Sequence, residues 1–353
     1  MAKRHTVKFE PVDLEIEVSE DETVLEGAFR QGVMLMHGCK EGQCSACKSF
    51  LLEGQVDLER YSTFALADYE REEGYTLLCR AHAYSDLEVE LLHYDEEMLT
   101  SGVPIQTLES EVESIVSLTH DISKLSLKLV DVPEMAFHAG QYVDIRIPGT
   151  DRTRAFSMAN TPGSSGDRLE FMIKIYEGGH FSGLLRDRLQ PGDRLEIRGP
   201  FGVFILREHS DADLVFIGGG AGMAPIWSLL NSMADRGIDR KVTYYYGART
   251  RRDLFHLDEI EALSERLKDF RFVPALSEPS VEDEWDGETG FIHDVVDRLE
   301  ADLTGHEGYL CGPPPMIDAA IPMLAAHGVP EARIFYDKFT ITAAEEEKDT
   351  QHA

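Results

Sequence analysis

The sequence predicts three consecutive folding units: one of α+β class, a small β-barrel and an α/β unit with a parallel sheet. Three observations support this. Four cysteines cluster near the start of the chain, short alternating segments fill its middle, and a glycine-rich turn follows a buried strand in its last part. The 353 residues leave room for two to three domains. The predicted boundaries are 1–97, a linker at 98–107, 108–208, 209–342 and an acidic tail at 343–353.

The net charge of the chain excludes some classes of binding partner. The net charge is −31, with about −13 on the first unit, −3 on the second and −15 on the third with its tail. An acidic chain lacks the clustered bases that bind duplex nucleic acid, and anionic membranes would repel it. Nine of the middle unit's twelve basic residues are arginine. That bias is typical of phosphate binding, although ordinary surface variation would also give it.

The chain contains no apolar run long enough to span a bilayer, and its first residues lack the apolar core of a signal peptide. We therefore expect a cytoplasmic protein that uses neither a membrane nor a nucleic acid. In a reducing compartment, five cysteines indicate metal-binding or catalytic thiols rather than disulfides.

The clustered cysteines have the spacing C-x4-C-x2-C, followed by a fourth after 31 residues. They are Cys39, Cys44, Cys47 and Cys79. This is the plant-type [2Fe–2S] pattern, in which one loop supplies three of the four thiolates. Gly38 and Gly42 are expected to give that loop positive φ angles. A zinc site or four structural thiols are the alternatives, but zinc sites prefer paired C-x2-4-C units and only one pair has that spacing here.

The flanks of the cysteines alternate like a small sheet. A hairpin is predicted at 6–9 and 14–18, a helix capped by Thr23 that runs to Arg30, and a strand at 86–91. This arrangement resembles the β-grasp ferredoxin domain over roughly residues 3–94. The resemblance implies an iron–sulfur domain.

The pattern of the middle unit indicates six short strands separated by glycine and proline turns, which predicts a six-stranded barrel. The predicted strands are 111–118, 125–130, 142–147, 154–158, 169–175 and 194–198. Residues 154–160 (RAFSMAN) are similar to the R-x-[YF]-S motif of the ferredoxin–NADP reductase superfamily. An ordinary strand is the alternative.

That resemblance implies a flavin-binding barrel that holds FAD. Arg154 would bind the flavin pyrophosphate, Phe156 would lie against the isoalloxazine, and Ser157 would hydrogen-bond near its N5, with Met158 beside them. A second segment, residues 173–182, precedes a helix predicted at 183–189 and matches the family's other flavin-phosphate segment. Its candidate residues are Lys174, Gly179 and Ser182, the last expected at the helix start, where backbone N–H groups bind phosphate.

In the third unit a buried strand at 213–217 runs into residues 218–225 (GGGAGMAP) and then an apolar helix. Strand, glycine turn and helix N-terminus together make a pyrophosphate site. The spacing is that of the same reductase superfamily, G-G-G-x-G-x-[AT]-P. The candidate nicotinamide-dinucleotide ligands are Gly218, Gly219, Gly220, Gly222, Met223 and Pro225.

Strands at 242–246, 271–276 and 308–311 alternate with helices at 258–267, 292–303 and 314–327, which predicts a doubly wound parallel sheet. Residues 309–316 match the family's C-G-P-P-x-M segment, so Cys311, Gly312 and Pro313 would border the nicotinamide. Residues 335–339 (FYDKF) resemble its terminal strand, with Phe339 near the flavin. Ser157, Cys311 and Phe339 are thus the catalytic candidates, although Cys311 and Phe339 would also suit a buried core.

The segment after the strand at 271–276 bears on the choice of nicotinamide cofactor. In NADP-using relatives a basic residue follows a serine here, whereas this chain has Ser277 and then Glu278. A carboxylate would repel a 2′-phosphate, so we expect NADH. Arg249, Arg251 and Arg252 argue the other way if they bind that phosphate.

Over about residues 3–340 the chain resembles the reductase components of soluble di-iron monooxygenases of methane, propane and phenol type. The resemblance implies an NADH:acceptor oxidoreductase that passes electrons from NADH to FAD, to the [2Fe–2S] cluster and to a hydroxylase. An alkane such as propane would be the hydroxylase substrate. The alternatives are the reductase of a Rieske dioxygenase or cytochrome P450 system, and a redox sensor without turnover.

Overall fold

The computed structural model describes residues 2–95, 99, 102–163 and 166–339. It divides into two units. The first is the chain up to Gln106 together with the short segment Gly199–Val203, and the second is Thr107–Arg198 with everything from Phe204 onward. The predicted tail at 343–353 lies outside the described residues.

The first unit is built on a five-stranded sheet of order β2-β1-β7-β3-β5, with a separate β4-β6 pair. Strand β1 pairs antiparallel with β2 and parallel with β7, which confirms the predicted hairpin and late strand. The bounds are β1 Arg4–Glu10, β2 Leu14–Ser19, α1 Val24–Arg30, β3 Lys48–Glu53, β4 Val56–Leu58, α2 Asp68–Glu73, β5 Tyr75–Leu77, β6 Ala81–Ala83 and β7 Leu87–Leu91.

Helix α1 begins where the sequence predicts. The Oγ1 of Thr23 accepts a hydrogen bond from the backbone N–H of Glu26 at 3.2 Å, so it satisfies one free donor of the first turn. A glycine inside this short helix lowers helix propensity, yet Gly27 is required by packing. A Cβ there would lie 2.7 Å from a methyl of Val18, so the glycine lets α1 approach the sheet closely.

The second unit begins with a six-stranded sheet of order β11-β10-β13-β8-β9-β12, in which β10–β11, β8–β9 and β9–β12 pair antiparallel. An isolated bridge between Met158 and Phe171 links the two edges, so the sheet curves into a near-closed barrel. All six predicted strands are confirmed. The bounds are β8 Gln106–Ser117, β9 Ile122–Leu129, β10 Tyr142–Arg146, β11 Thr153–Ser157, β12 Arg168–Lys174, α3 His180–Asp187 and β13 Arg194–Phe201.

Helix α3 corrects one expectation. It was predicted to begin at Gly183 with Ser182 at its start, but it begins at His180 with Gly179 as its N-cap. Because Gly179 has no side chain to clash with the turn, the helix starts one residue after the glycine pair. Ser182 therefore lies inside the first turn and is buried.

The rest of the second unit is a six-stranded sheet of order β17-β16-β15-β14-β18-β19, in which every pair is parallel. The predicted doubly wound class is confirmed. The bounds are β14 Asp213–Gly219, α4 Met223–Arg236, β15 Val242–Ala248, α5 Leu257–Ser264, β16 Phe270–Leu276, β17 Glu288–Thr289, α6 Ile292–Leu299, β18 His306–Gly312, α7 Pro314–Ala326 and β19 Ile334–Lys338.

Strand β14 lies in the middle of this sheet and is buried on both faces. Phe216 packs on one side with Met223 and Ile226 of α4, while Ile217 packs on the other with residues of α6 and α7. A strand covered by helices on both sides has a continuous apolar run, which is the pattern that predicted it.

No helix among the described residues is long and apolar enough to cross a membrane.

Candidate cofactor sites

The cysteine loop (residues 38–47) brings three thiols next to a fourth from after β5. Cys44 is exposed, Cys39 is partly exposed, and Cys47 and Cys79 are buried. Cys39 lies beside Cys44, and Cys47 lies beside Cys79. All four predicted ligands therefore converge on one place.

Backbone N–H groups are aimed at these sulfur atoms. Cys39 Sγ accepts from the N–H of Gln43 at 3.2 Å and of Glu41 at 3.4 Å, and Cys44 Sγ accepts from the N–H of Cys39 at 3.3 Å. Gly42 N–H donates to Cys79. The neighbouring Cys44 thiol and the N–H groups of Gln43 and Glu41 lower the pKa of Cys39. Four thiols in an amide-lined loop fit a [2Fe–2S] cluster.

The loop's backbone corrects a second expectation. Gly42 has the predicted positive φ, at 68°, but Gly38 does not. Gly38 is needed for space, because a Cβ there would lie 3.0 Å from Cys44 Sγ. The other left-handed residues are Lys40 and Ser45, with φ near 60°.

The first flavin segment lies along β11. Ser157 ends that strand and is buried, and it pairs with Tyr142 of β10. The Phe156 ring packs against Phe181 with 4.8 Å between centroids. Arg154 is half-buried, and its Nη1 donates to the carbonyl of Thr153 at 2.8 Å. All three side chains belong to β11, an edge strand of the barrel sheet.

The second segment closes a tight turn before α3. Ser182 Oγ accepts from the N–H of Tyr176 at 3.2 Å, and a Cβ on Gly179 would lie 2.3 Å from that oxygen. Lys174 Nζ pairs with Asp121 at 2.9 Å, so its charge is partly neutralised within the chain. Asp121 was not among the predicted residues, because nothing near it in sequence marks it as a partner of Lys174.

The glycine turn (residues 218–225) follows β14 directly. Gly220 has φ +57° and open space around it, which leaves its backbone accessible to a ligand. Gly222 instead meets β18, since a Cβ there would lie 2.1 Å from the carbonyl oxygen of Cys311. The parallel register of β14 and β18 pairs Gly218 with Cys311. The turn and the C-G-P segment thus form one structure.

The C-G-P segment is joined to the end of the described chain. Phe339 N–H donates to the carbonyl of Gly312 at 3.0 Å. Pro313 is the N-cap of α7, and Met316 Cε would lie 2.9 Å from a Cβ on Gly312. Burial raises the pKa of the Cys311 thiol well above its usual range, so it stays protonated. A protonated thiol is a poor nucleophile.

Asp337 is a residue that sequence reasoning missed. It pairs with Cys311 in the β18–β19 register. Loss of surrounding water raises the pKa of its carboxyl to about 6. The available signal was an acidic side chain between aromatic residues in the FYDKF strand, since an acid is seldom buried without a partner.

The flavin and nicotinamide segments share one hydrophobic core. Ala159 and Met172 of the barrel pack in the same cluster as Met223 and Cys311. Ser228 Oγ of α4 donates to the carbonyl of Asn160 at 2.7 Å. The glycine turn is therefore held against the chain that follows Ser157.

Two of the three arginines that argued for NADPH, Arg249 and Arg251, have partners inside the chain. Arg249 Nη2 lies 3.6 Å from Asp121 and 3.7 Å from Asp253. Arg251 Nη1 donates to the carbonyl of Asp283 at 2.8 Å. Glu278 is exposed, and its N–H donates to the carbonyl of Arg249. The backbone of Glu278 is thus tied to Arg249, and the Arg249 charge faces two carboxylates.

Comparison with known families divides the chain in the same order. The 2Fe-2S iron-sulfur cluster binding domain matches residues 7–84, the oxidoreductase FAD-binding domain matches 109–205, and the oxidoreductase NAD-binding domain matches 216–321. Together with the sites above, they define an iron–sulfur flavoprotein oxidoreductase that transfers electrons and uses FAD, NAD and a [2Fe–2S] cluster.

Relatives refine that class. The chain is 52% identical to the reductase component of propane 2-monooxygenase from Mycolicibacterium goodii, over 96% of this chain and 98% of the relative. It is 40% identical to the reductase component of phenol 2-monooxygenase from Pseudomonas sp. (strain CF600), over 96% and 95%. The chain belongs to the family of reductase components of multicomponent monooxygenases. A solved Amycolatopsis cytochrome P450 reductase has a TM-score of 0.85 at 31% identity, over 96% of this chain and 99% of that one.

Proposed function

We propose that the chain is the NADH-dependent reductase component of a propane-type di-iron monooxygenase and serves a hydroxylase in a transient complex in the cytoplasm. The observation that carries the proposal is the 52% identity to the propane 2-monooxygenase reductase component over nearly both full lengths. The order of the three sites along the chain supports the same interpretation.

The chemistry that the bound groups would supply is hydride acceptance by FAD from NADH and single-electron transfer by the [2Fe–2S] cluster. The chain's own residues bind and orient these groups. Backbone N–H groups at the start of α4 would hold the dinucleotide pyrophosphate, because a helix N-terminus attracts negative charge. Cys311, Gly312 and Pro313 would flank the nicotinamide, with Phe339 hydrogen-bonded to that segment.

On the flavin side, Arg154 would bind the pyrophosphate and Phe156 would pack on the ring system. The hydroxyl of Ser157 would donate a hydrogen bond to the flavin edge and exclude water there, since the residue is buried. Lys174, Gly179 and Ser182 would close the phosphate end. The four cysteines would hold the cluster.

Electrons would leave through the first unit. Phe64 is 97% exposed, and Ser62 N–H, two residues earlier, donates to the carbonyl of Gly42 in the cysteine loop at 3.0 Å. An exposed aromatic beside the cluster site, within a unit of net charge about −13, suits a partner with a basic rim and an apolar pocket. Such docking is steered by charge, so its rate would fall as salt rises.

The proposal is tested by changing Cys44 to serine and measuring two electron acceptors. We expect NADH oxidation with ferricyanide to be retained, while hydroxylase turnover falls at least about 100-fold, because serine replaces a thiolate ligand. Cys311→Ser is the control for iron content only, since Cys311 lies outside the cysteine motif and its variant should keep its iron. Full hydroxylase turnover by a Cys44→Ser chain without iron would contradict the proposed path.

Service to a cytochrome P450 is kept as a second candidate function because the solved P450 reductase matches 96% of the chain with a TM-score of 0.85. The two are separated by offering the purified holoprotein a di-iron hydroxylase or a P450. We expect productive coupling to the hydroxylase. Coupling to the P450 alone would favour the second candidate.

A further inference from the structure

Arg80 lies next to the cysteine loop without belonging to the cysteine motif. It follows Cys79 directly, and its backbone N–H donates to the carbonyl of Leu77 at 2.8 Å. A Cβ on Gly42 would lie 3.1 Å from Arg80 Cγ, and Gly42 N–H donates to Cys79. The aliphatic stem of Arg80 therefore covers the middle of the loop, between two predicted ligands.

The guanidinium of Arg80 is only partly satisfied by the chain. Its Nη1 pairs with a carboxylate oxygen of Glu59, whereas its Nε is buried and has no acceptor in the described part of the chain. A buried N–H without an acceptor is costly, and the cost is larger for a charged group. The arrangement calls for an acceptor that the described residues do not provide.

Glu59 is held in place from two sides. His82 Nε2 lies 3.1 Å from Oε1 of Glu59, while Nδ1 of the same ring lies 3.0 Å from the carbonyl oxygen of Glu20. The backbone also contributes, since Glu59 N–H donates to the carbonyl of Arg80 at 2.9 Å. The Arg80 side chain is 22% exposed and that of Glu59 is 43% exposed, so the carboxylate is the wetter partner. Water screens the charge of Glu59 more than that of Arg80.

We propose that Arg80 is a further cluster-site residue: its Nε–H donates to a sulfur of the bound cluster, and its charge makes the cluster easier to reduce. Reduction adds one electron, and hence one negative charge, to a group that four thiolates already make anionic. A nearby cation stabilises that added charge, and hydrogen bonds to sulfur act in the same direction. Glu59 opposes the effect, so the pair sets the reduction potential. The inference rests on the proposed cluster ligands.

The test is a redox titration of the holoprotein, in which the EPR signal of the reduced cluster is followed against dyes of known potential. In Arg80→Gln we expect the reduced-to-oxidised ratio at a fixed potential to fall about tenfold, which is about 59 mV for one electron. Glu59→Gln should shift the ratio the other way, about threefold, because its charge is more exposed. Arg80→Lys keeps the charge without the Nε–H and should lie between Arg80→Gln and the unchanged protein.

Arg4→Gln is the matched control, since it removes the same charge from an exposed residue of β1 that pairs with Glu17. We expect it to change the ratio less than about twofold. The inference is overturned if Arg80→Gln behaves like Arg4→Gln, or if Arg80→Gln and Glu59→Gln shift the ratio in the same direction.

Should Arg80→Gln fail to bind iron, Glu59→Gln and Arg80→Lys decide the matter. An unchanged potential in Glu59→Gln would then overturn the inference. Failure of the unaltered chain to bind a [2Fe–2S] cluster at all would instead contradict the proposed function, so the two failures are distinguishable.

Discussion

The cysteine loop and the glycine turn both depend on glycines, but they assemble in different ways. Three of the four thiols of the cluster site come from nine consecutive residues of the loop. The backbone N–H donors to Cys39 come from the same stretch. The glycine turn is completed by residues about 90 positions later, where Cys311 meets Gly222. The first site is specified locally, whereas the second exists only when a parallel sheet places distant segments side by side.

The largest expected effect is that a change in one site removes the function of that site and leaves the other intact. Gly42→Ala puts a side chain at a φ of +68° and within 2.8 Å of Tyr61 Cβ, so bound iron should fall about tenfold while ferricyanide reduction by NADH persists. Gly222→Ala should do the reverse: kcat/KM for NADH falls about 100-fold, because its Cβ would displace Cys311, while iron is retained.

Iron analysis and steady-state kinetics on both variants check this prediction. If either variant lost both properties together, the two sites would not be independent, and the contrast between a local and an assembled site would fail.

Cofactor choice is expected to respond next. Glu278→Arg removes a carboxylate that would repel a 2′-phosphate and supplies a cation in its place, so the kcat/KM ratio of NADPH to NADH should rise about tenfold or more. Glu282→Arg, an equal change of charge at a nearby exposed position, is the control. Equal ratios in both variants would show that overall charge, and not the position after Ser277, governs the preference.

A smaller effect is expected at Asp337, and it depends on pH. The pKa of this carboxyl is raised to about 6 in the folded chain, so the folded state binds the proton more tightly than the unfolded state. This tighter proton binding stabilises the folded state fully below about pH 4, and the stabilisation is lost as pH rises through 6. Asp337→Asn should therefore have a free energy of unfolding about 2 kcal/mol higher than that of the unchanged chain at pH 7.5. The gap should shrink toward pH 4.5, as thermal unfolding at the two values will show; a constant gap would contradict the raised pKa.

The smallest effect is expected at Gly183, which lies inside α3 without a positive φ and would have no atom within 4 Å of an added Cβ. Alanine there should stabilise the fold by about 0.5–1 kcal/mol, because it lowers the entropy cost of the helix. A shift in Tm measures it. A loss of stability would mean that the glycines of the second unit are needed even where the space around them is open.

The difference in assembly also explains what the sequence could predict. The four cysteines, the six barrel strands and the parallel sheet were accessible because spacing and alternation are local signals. Strands β4 to β6 have three residues each, too few for a pattern to emerge. Asp337 has a raised pKa beside its partner strand, and the charge of Lys174 is paired with Asp121. Neither pairing can be predicted from the neighbouring residues in the sequence.

Two corrections have the same origin. The sequence identified Gly38 and Ser182 as special positions but assigned each a backbone role. Gly38 matters instead for its closeness to Cys44, and Ser182 for its contact with Tyr176. A motif shows that a residue is needed at a position. Only the residues packed around it show for what.

The place of β19 in the sheet has a consequence for synthesis on the ribosome. All four cysteines have been added once synthesis passes Cys79, the sheet of the first unit is complete at Leu91 of β7, and the last segment of that unit, Gly199–Val203, follows well before β19. The C-G-P segment gains its edge partner only with Ile334–Lys338, the last strand described. Because domains fold from the N-terminus as they are made, the iron site can form long before the nucleotide site. Newly made chains thus acquire the place that receives electrons before they acquire the means to draw them from NADH.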